Sequence, residues 1–197
     1  MHNKNYFALS ASAPSFEMRL HAHSQVVVLG SQGTGKSSLV AWLAQKEFRA
    51  DYEPTVGVEF SEARCMIQGR VWNLQLWDAA GKKEYSIAGK VLHENAAAVV
   101  IVMDLTSDDS AAFAKAAEFV EDVKKYNGKA QVPILVVGSK ADGERKVDHE
   151  AMARFIASDD SLNYVELSPL GGPDEERRNV AVSLIVHNVS SSRIRIE

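Results

Sequence analysis

A glycine-rich stretch near the beginning of the chain has the residue types and the spacing of a phosphate-binding loop. It reads Gly30-Ser31-Gln32-Gly33-Thr34-Gly35-Lys36-Ser37 and satisfies the pattern G-x-x-x-x-G-K-S. Glycines let the backbone wrap closely around phosphate groups with its N–H groups pointing inward, and the N-terminus of a following helix adds favourable partial charge. Lys36 is suited to reach the β- and γ-phosphates, and the Ser37 hydroxyl is suited to ligate Mg²⁺.

This loop pattern indicates a nucleoside triphosphate without specifying the base. The alternative is a glycine-rich turn that happens to precede a helix, and four matched positions arise by chance on the order of once per hundred sequences. The expected phosphate contacts are Gly30, Gln32, Gly33, Thr34, Gly35, Lys36, Ser37 and Ser38.

The segments around the loop alternate between strand and helix patterns, which predicts an α/β domain with a mostly parallel sheet. An apolar strand, Val26–Leu29, precedes the loop, and a helix from Lys36 to about Gln45 follows it. A two-stranded ribbon is predicted at Glu59–Ile67 and Arg70–Trp77. The remaining elements are predicted as strands at Ala97–Asp104, Pro133–Gly138 and Tyr164–Leu167, and as helices at about Ser110–Tyr126, Asp148–Ala157 and Asp174–Asn188.

Composition and charge limit the class of protein. The chain has 197 residues, of which 46% are hydrophobic, and a formal net charge of −4. These values suit one globular domain and argue against a nucleic-acid partner, which normally requires a strong basic excess. The single cysteine, Cys65, cannot form an internal disulfide, so we expect a reducing, cytoplasmic compartment.

The chain is predicted to contain one domain with an extension at each end. Residues 1–24 are rich in Ser, Ala, His and Asn and predict a flexible N-terminal extension, residues 25–190 form the domain, and residues 191–197 form a tail. No apolar run approaches the length of a membrane span. The tail has no cysteine for prenylation, so we expect membrane contact only through partner proteins.

Three further segments follow the loop in a characteristic order. They are Asp51-Tyr52-Glu53-Pro54-Thr55-Val56-Gly57-Val58-Glu59-Phe60, Trp77-Asp78-Ala79-Ala80-Gly81 and Gly138-Ser139-Lys140-Ala141-Asp142. Together with the phosphate loop, these segments resemble the Ras superfamily of small GTPases, and the Rab branch most closely. The resemblance covers residues 25–190. It implies a P-loop NTPase small G domain with a mostly parallel six-stranded sheet and helices on both faces.

The resemblance implies that GTP or GDP binds together with Mg²⁺. Ser37, Thr55 and Asp78 would hold the metal ion, and Thr55 and the N–H of Gly81 would contact the γ-phosphate. Because these contacts to the γ-phosphate require a triphosphate, hydrolysis would release both segments in an order-to-disorder switch. The residues expected to take part in hydrolysis are Gln32, Lys36, Thr55, Gly81 and Lys82.

The same resemblance implies a guanine site. Lys140 would lie along the base, and Asp142 would accept two hydrogen bonds from guanine, whereas adenine would leave this carboxylate unpaired. The other expected base contacts are Ser139, Ser168, Pro169 and Leu170.

Two departures from the family pattern predict slow hydrolysis. Lys82 stands where the family normally has a glutamine that orients the attacking water, and a lysine has donors only. Gln32 places a long side chain where the family tolerates little more than Gly or Ser. We expect intrinsic turnover at or below the order of 10⁻⁴ s⁻¹. The alternative is that Gln32 itself positions the water.

Two more departures affect the base site. Ser139 stands where asparagine is usual, and Glu166-Leu167-Ser168-Pro169-Leu170 resembles the family segment E-T-S-A-K with Pro169 at the alanine. The N–H of that alanine normally meets the guanine carbonyl oxygen, and proline has no N–H. Losing this bond predicts a loss of about 1 to 3 kcal/mol in guanine binding. An alignment shifted by one residue would supply an N–H from Leu170.

The resemblance also implies a partner surface near the switch segments, formed around Thr55, Phe60, Trp77 and Tyr85. Three functions stay open. The first is a Rab-like switch in vesicle traffic or signalling with weak hydrolysis, and the second is a nucleotide-bound scaffold that never cycles, which Lys82, Gln32 and Pro169 favour. The third is a P-loop ATPase or small-molecule kinase, against which the Lys140-x-Asp142 pairing argues.

Overall fold

The computed structural model describes residues 24–44, 57–67, 70–79, 96–127, 132–168, 178 and 181–187. Strands and helices alternate along these ranges. The elements are β1 (Ser24–Leu29), α1 (Lys36–Leu43), β2 (Val58–Ile67), β3 (Arg70–Ala79), β4 (Ala98–Asp104), α2 (Asp109–Asn127), β5 (Ile134–Ser139), α3 (His149–Ala157) and β6 (Leu162–Glu166). A further helix, α4, covers residues 181–187.

The six strands form one sheet in the order β2-β3-β1-β4-β5-β6. β2 and β3 pair antiparallel, and every other neighbouring pair is parallel. From β1 the chain first builds one side of the sheet and then crosses to β4 on the other side. Ligands of open α/β sheets bind at such a reversal, outside the carboxyl ends of the strands. The predicted fold class, a mostly parallel six-stranded sheet, is confirmed.

Side chains of β1 alternate between two hydrophobic cores, because successive residues of a strand point to opposite faces. Val26 and Val28 belong to one core, and Val27 and Leu29 to the other. The first core is closed by residues of α1 and α4, and the second by residues of α2 and α3. Helices therefore cover both faces of the sheet, as the sequence predicts.

The strand bounds differ from the predicted ones by one or two residues, and pairing explains the differences. β1 begins at Ser24, inside the predicted extension, because Ser24 is opposite Leu74 of β3 and is buried. β3 continues to Ala79 because Val58 pairs with it across the ribbon. β6 begins earlier, at Leu162, because this residue pairs with Ile134.

Residues 1–23 and 188–197 lie outside the described residues, so the bounds of the extension, domain and tail stay predictions. Within the part of the chain that the structure describes, no helix is both long enough and apolar enough to cross a membrane.

Candidate functional site

The glycine-rich loop joins the carboxyl end of β1 to the N-terminus of α1, and its path depends on glycine. Gly30 has φ +146°, and a Cβ added there would lie 2.4 Å from the carbonyl oxygen of Val102 on β4. Gly35, the N-cap of α1, has φ +91° and provides no side-chain cap. A side chain at Gly30 would force the backbone to move, whereas at Gly35 the added Cβ would have room and glycine is favoured by the positive φ.

The carbonyl oxygen of Ser31 holds the loop together from inside. It accepts hydrogen bonds from the Oγ1 atom of Thr34 at 3.0 Å and from the Nζ atom of Lys36 at 2.8 Å. Both side chains are buried. Burial lowers the pKa of Lys36, and the nearby Asp78 carboxylate acts in the opposite direction without reversing the shift. The ammonium group is therefore held inside the curve of the loop.

Asp78 brings a carboxylate to the same end of the sheet. It lies near the end of β3, opposite Val28 of β1, and is 1% exposed. Its Oδ1 atom is buried and accepts no hydrogen bond from the described residues. Asp78 nevertheless has other interactions within the protein. Ser37 lies next to Lys36 in the first turn of α1. The oxygen atoms of a hydroxyl and a carboxylate beside a phosphate loop are ligands that suit Mg²⁺.

Two side chains after β5 and β6 meet at the carboxyl edge of the sheet. The hydroxyl of Ser168, which follows β6, donates a hydrogen bond to the Oδ1 atom of Asp142 in the loop after β5. In that same loop, Lys140 adopts φ +56° and its Nζ atom lies 2.6 Å from the Oδ2 atom of Asp104. Lys140, Asp142 and Ser168 are thus gathered in one region.

Ser139 connects this region to the phosphate loop. It is 3% exposed, and its hydroxyl lies 2.6 Å from the carbonyl oxygen of Thr34 and 3.1 Å from that of Met103. A hydroxyl has one proton to donate. The Ser139 hydroxyl is therefore directed toward backbone carbonyl oxygens of the phosphate loop and β4. Direct contact between Ser139 and the base stays a prediction.

Comparison with known proteins assigns the family. A family model described as the Ras family matches residues 25–187. The chain belongs to the Ras family. It is 34% identical over 148 residues to the Ras-related protein RHN1 of Nicotiana plumbaginifolia, which covers 74% of this chain and 72% of that protein.

Two Rab proteins show similar identity. Rab-21 of Geodia cydonium is 31% identical over 157 residues, 80% of this chain and 64% of that protein. Rab5 of Nicotiana tabacum is 34% identical over 148 residues, 74% and 72% of the two chains. Ras-family proteins are GTPases that bind GTP or GDP with Mg²⁺ and contact effectors and regulators through their switch regions. This chain is accordingly a Rab-like small GTPase.

Other expected residues of this Ras-family site lie outside the described residues. These are Thr55, Gly81, Lys82, Tyr85, Pro169 and Leu170. Gln32 and Gly33 of the loop are exposed, and Ser38 in the first turn of α1 is half-buried. Gln32 borders a cavity of about 180 Å³ between the loop, β4 and α2. Its apolar lining includes Ile101, Met103, Ala112, Ala116 and Phe119.

An aromatic pair lies on the ribbon of this Ras-family domain. Phe60 on β2 is directly opposite Trp77 on β3, with ring centroids 5.1 Å apart. Phe60 is 44% exposed, so the pair presents an apolar contact area to solvent. The use of this area by partner proteins stays a prediction.

The structure adds two sets of contacts that the sequence motifs do not specify. The first is Asp104, whose only signal is its position as a carboxylate at the end of a buried strand. The second is a network around Glu166, whose Oε1 atom accepts hydrogen bonds from Arg145 at 2.6 Å and from Tyr164 at 2.8 Å. Burial and the neighbouring Glu166 raise the pKa of Tyr164. This network fixes β6 against the loop that contains Asp142.

Proposed function

We propose that this Rab-like GTPase is a guanine-nucleotide switch with slow intrinsic hydrolysis that acts through partner proteins in vesicle traffic or signalling. The observation that carries the proposal is the placement of two separate groups at one edge of the sheet. Lys36 and Asp78 lie at the phosphate loop, and Asp142 and Ser168 lie at the neighbouring loops.

The phosphate side of the site follows from the loop. Its backbone N–H groups and the buried Lys36 would bind the β- and γ-phosphates. Ser37 and Asp78 would hold Mg²⁺ together with Thr55, and the ion would neutralise phosphate charge. Thr55 and Gly81 would contact the γ-phosphate and let the switch segments distinguish GTP from GDP.

The base side depends on one carboxylate. Asp142 would accept two hydrogen bonds from guanine, and the hydroxyl of Ser168 supports the proposal because it fixes one carboxylate oxygen. Adenine offers this carboxylate no matching pair of donors. Pro169 removes one donor toward the guanine oxygen unless Leu170 supplies it, so discrimination against adenine would be weaker than in a site with that donor.

Slow hydrolysis rests on Gln32 and Lys82. Lys82 would not accept a hydrogen bond from the attacking water, and Gln32 is an exposed side chain of the phosphate loop. The expected rate is at or below the order of 10⁻⁴ s⁻¹. The protein would therefore stay in its GTP state until a partner or nucleotide exchange ends that state.

The contact area of Phe60 and Trp77 supports recruitment of partners. Aromatic side chains are enriched in the central contacts of protein interfaces. Binding to a membrane-resident partner would bring the protein to a membrane. Replacing Phe60 with alanine should weaken partner binding and leave nucleotide binding unchanged.

The first experiment identifies the nucleotide. The purified protein is denatured, the released nucleotide is separated by chromatography, and the reloaded protein is incubated with GTP and Mg²⁺ while GDP is measured. Retained GTP with negligible turnover is the expected result, whereas GDP with measurable turnover would show that Gln32 or another group replaces the missing glutamine. Adenine nucleotide, or none, would overturn the guanine assignment.

A second experiment tests the cause of slow hydrolysis. Lys82→Gln and Gln32→Gly should each raise the single-turnover rate, and Lys125→Gln on the exposed surface of α2 is the matched control. If Gln32→Gly abolishes hydrolysis instead, Gln32 positions the water. If neither variant nor any partner restores turnover, the non-cycling scaffold is the better description.

A further inference from the structure

Asp104 holds two loops at once, because each of its carboxylate oxygens has a different partner. Its Oδ1 atom accepts hydrogen bonds from the backbone N–H of Thr106 at 2.9 Å and from the Thr106 hydroxyl at 2.7 Å. Its Oδ2 atom accepts a hydrogen bond from the Nζ atom of Lys140 at 2.6 Å. The side chain is only 14% exposed. A carboxylate fixed on one side by a turn is thus available to fix a lysine on the other.

The backbone around Lys140 depends on the same pair of loops. Asp104 lies opposite Ser139 where β4 and β5 end, and the N–H of Leu105 donates to the carbonyl oxygen of Ser139 at 3.1 Å. The N–H of Gly143 donates to the carbonyl oxygen of Lys140 at 3.0 Å. A Cβ added to Gly143 would lie 2.7 Å from the Cγ2 atom of Thr106. The loops after β4 and β5 therefore form one packed unit.

We propose that Asp104 is a positioning residue for the guanine base, which acts by holding the Lys140 side chain in place before the nucleotide binds. This inference rests on the proposed function, in which the alkyl chain of Lys140 lies along the base. Asp104 itself needs no contact with the nucleotide.

The physical reason is the freedom of a lysine side chain. Lys140 is 40% exposed, and an untethered lysine would lose many rotamers when a base binds against it. A side chain that is already fixed by a charged hydrogen bond reduces this entropic cost. Burial alone would raise the pKa of Asp104, but the bonds from Lys140 and Thr106 hold it below its ordinary value, so the carboxylate is ionised at neutral pH.

The test is a double-mutant cycle on GDP dissociation, measured with a fluorescent GDP analogue chased by unlabelled GDP. Asp104→Asn keeps an acceptor for Thr106 and removes the charge that faces Lys140. It should speed dissociation about three- to tenfold. Lys140→Met should have a larger effect, and Asp104→Asn combined with Lys140→Met should match Lys140→Met within about twofold, because Asp104 acts through Lys140.

The control is Glu118→Gln, which removes the carboxylate from the exposed Lys115–Glu118 ion pair and should leave dissociation unchanged. If Asp104→Asn does not fold, Thr106→Val loosens the same carboxylate without touching Lys140. Alone, it should speed GDP dissociation about twofold. In a protein that already carries Lys140→Met, it should cause no further change.

Two results would overturn the proposal. The first is a GDP dissociation rate in Asp104→Asn that equals that of the wild type. The second is a double mutant whose rate increase equals the product of the increases in the two single variants, which would indicate two independent roles. A wild-type protein that binds no guanine nucleotide would instead refute the proposed function, so the two failures are distinguishable.

Discussion

The phosphate side and the base side of the site are built in different ways. The phosphate loop is one contiguous stretch, shaped by Gly30 and by hydrogen bonds to the Ser31 carbonyl oxygen. The base side is assembled from side chains on separate segments, with Asp104 at the end of β4, Asp142 after β5 and Ser168 after β6. Backbone shape therefore defines the first part, whereas the second depends on individual side chains and can change one residue at a time.

The largest expected effect comes from a methyl group in the phosphate loop. Gly30→Ala would bring a Cβ within 2.4 Å of the Val102 carbonyl oxygen at φ +146°, so backbone must shift. We expect a loss of about 3 kcal/mol or more in the free energy of unfolding, measured by denaturant titration.

The matched control for this prediction is Gly33→Ala. Its φ is +79°, but nothing lies within 4 Å of the added Cβ. Gly33→Ala should lower the free energy of unfolding by only about 1 to 2 kcal/mol, because the alanine backbone is strained at this positive φ but its Cβ meets no other atom. Equal losses in the two variants would show that the contact with β4 does not shape the loop.

The next effect is on the base side. Asp142→Ala should weaken GDP binding by about 2 to 4 kcal/mol in a competition assay, because guanine would lose its charged acceptor. Ser168→Ala keeps that acceptor and removes only the hydroxyl that orients it, so the loss should be about 1 kcal/mol. An Asp142→Ala protein with wild-type preference for GDP over ADP would contradict this assignment.

Ser139 tests how strongly the two sides are coupled. Ser139→Ala leaves the Thr34 carbonyl oxygen without the hydroxyl that lies 2.6 Å away. We expect faster GDP dissociation by about five- to tenfold, which corresponds to about 1 kcal/mol. Wild-type kinetics in this variant would mean that the two sides act independently.

The smallest predicted effect is a pH dependence. The pKa of Asp104 is lowered in the folded protein from an ordinary value of 3.8, so its stabilising contribution is present above that value and is lost as the pH falls through the lower folded value. The Tm difference between wild type and Asp104→Asn should be constant above about pH 5 and shrink below pH 4. A constant difference down to pH 3 would contradict this account.

The contrast between the two sides also explains what the sequence could predict. The phosphate loop and the six strands follow from contiguous patterns, such as the alternation of Val26 to Leu29 between two cores. The role of Asp104 could not be predicted, because its partner Lys140 lies 36 positions away and only the pairing of β4 with β5 joins them. The direction of the Ser139 hydroxyl likewise depends on the position of Thr34, which a motif does not encode.

The central strands have a consequence for how the protein opens. Every residue of β5 is buried, as are all residues of β4 except Asp104 at its end. Amide hydrogens in these strands should exchange with solvent only through global unfolding, while those of the surrounding loops exchange through small local openings. Because the proposed site is formed where the strands end, a nucleotide would enter and leave through those local openings while the sheet stays intact.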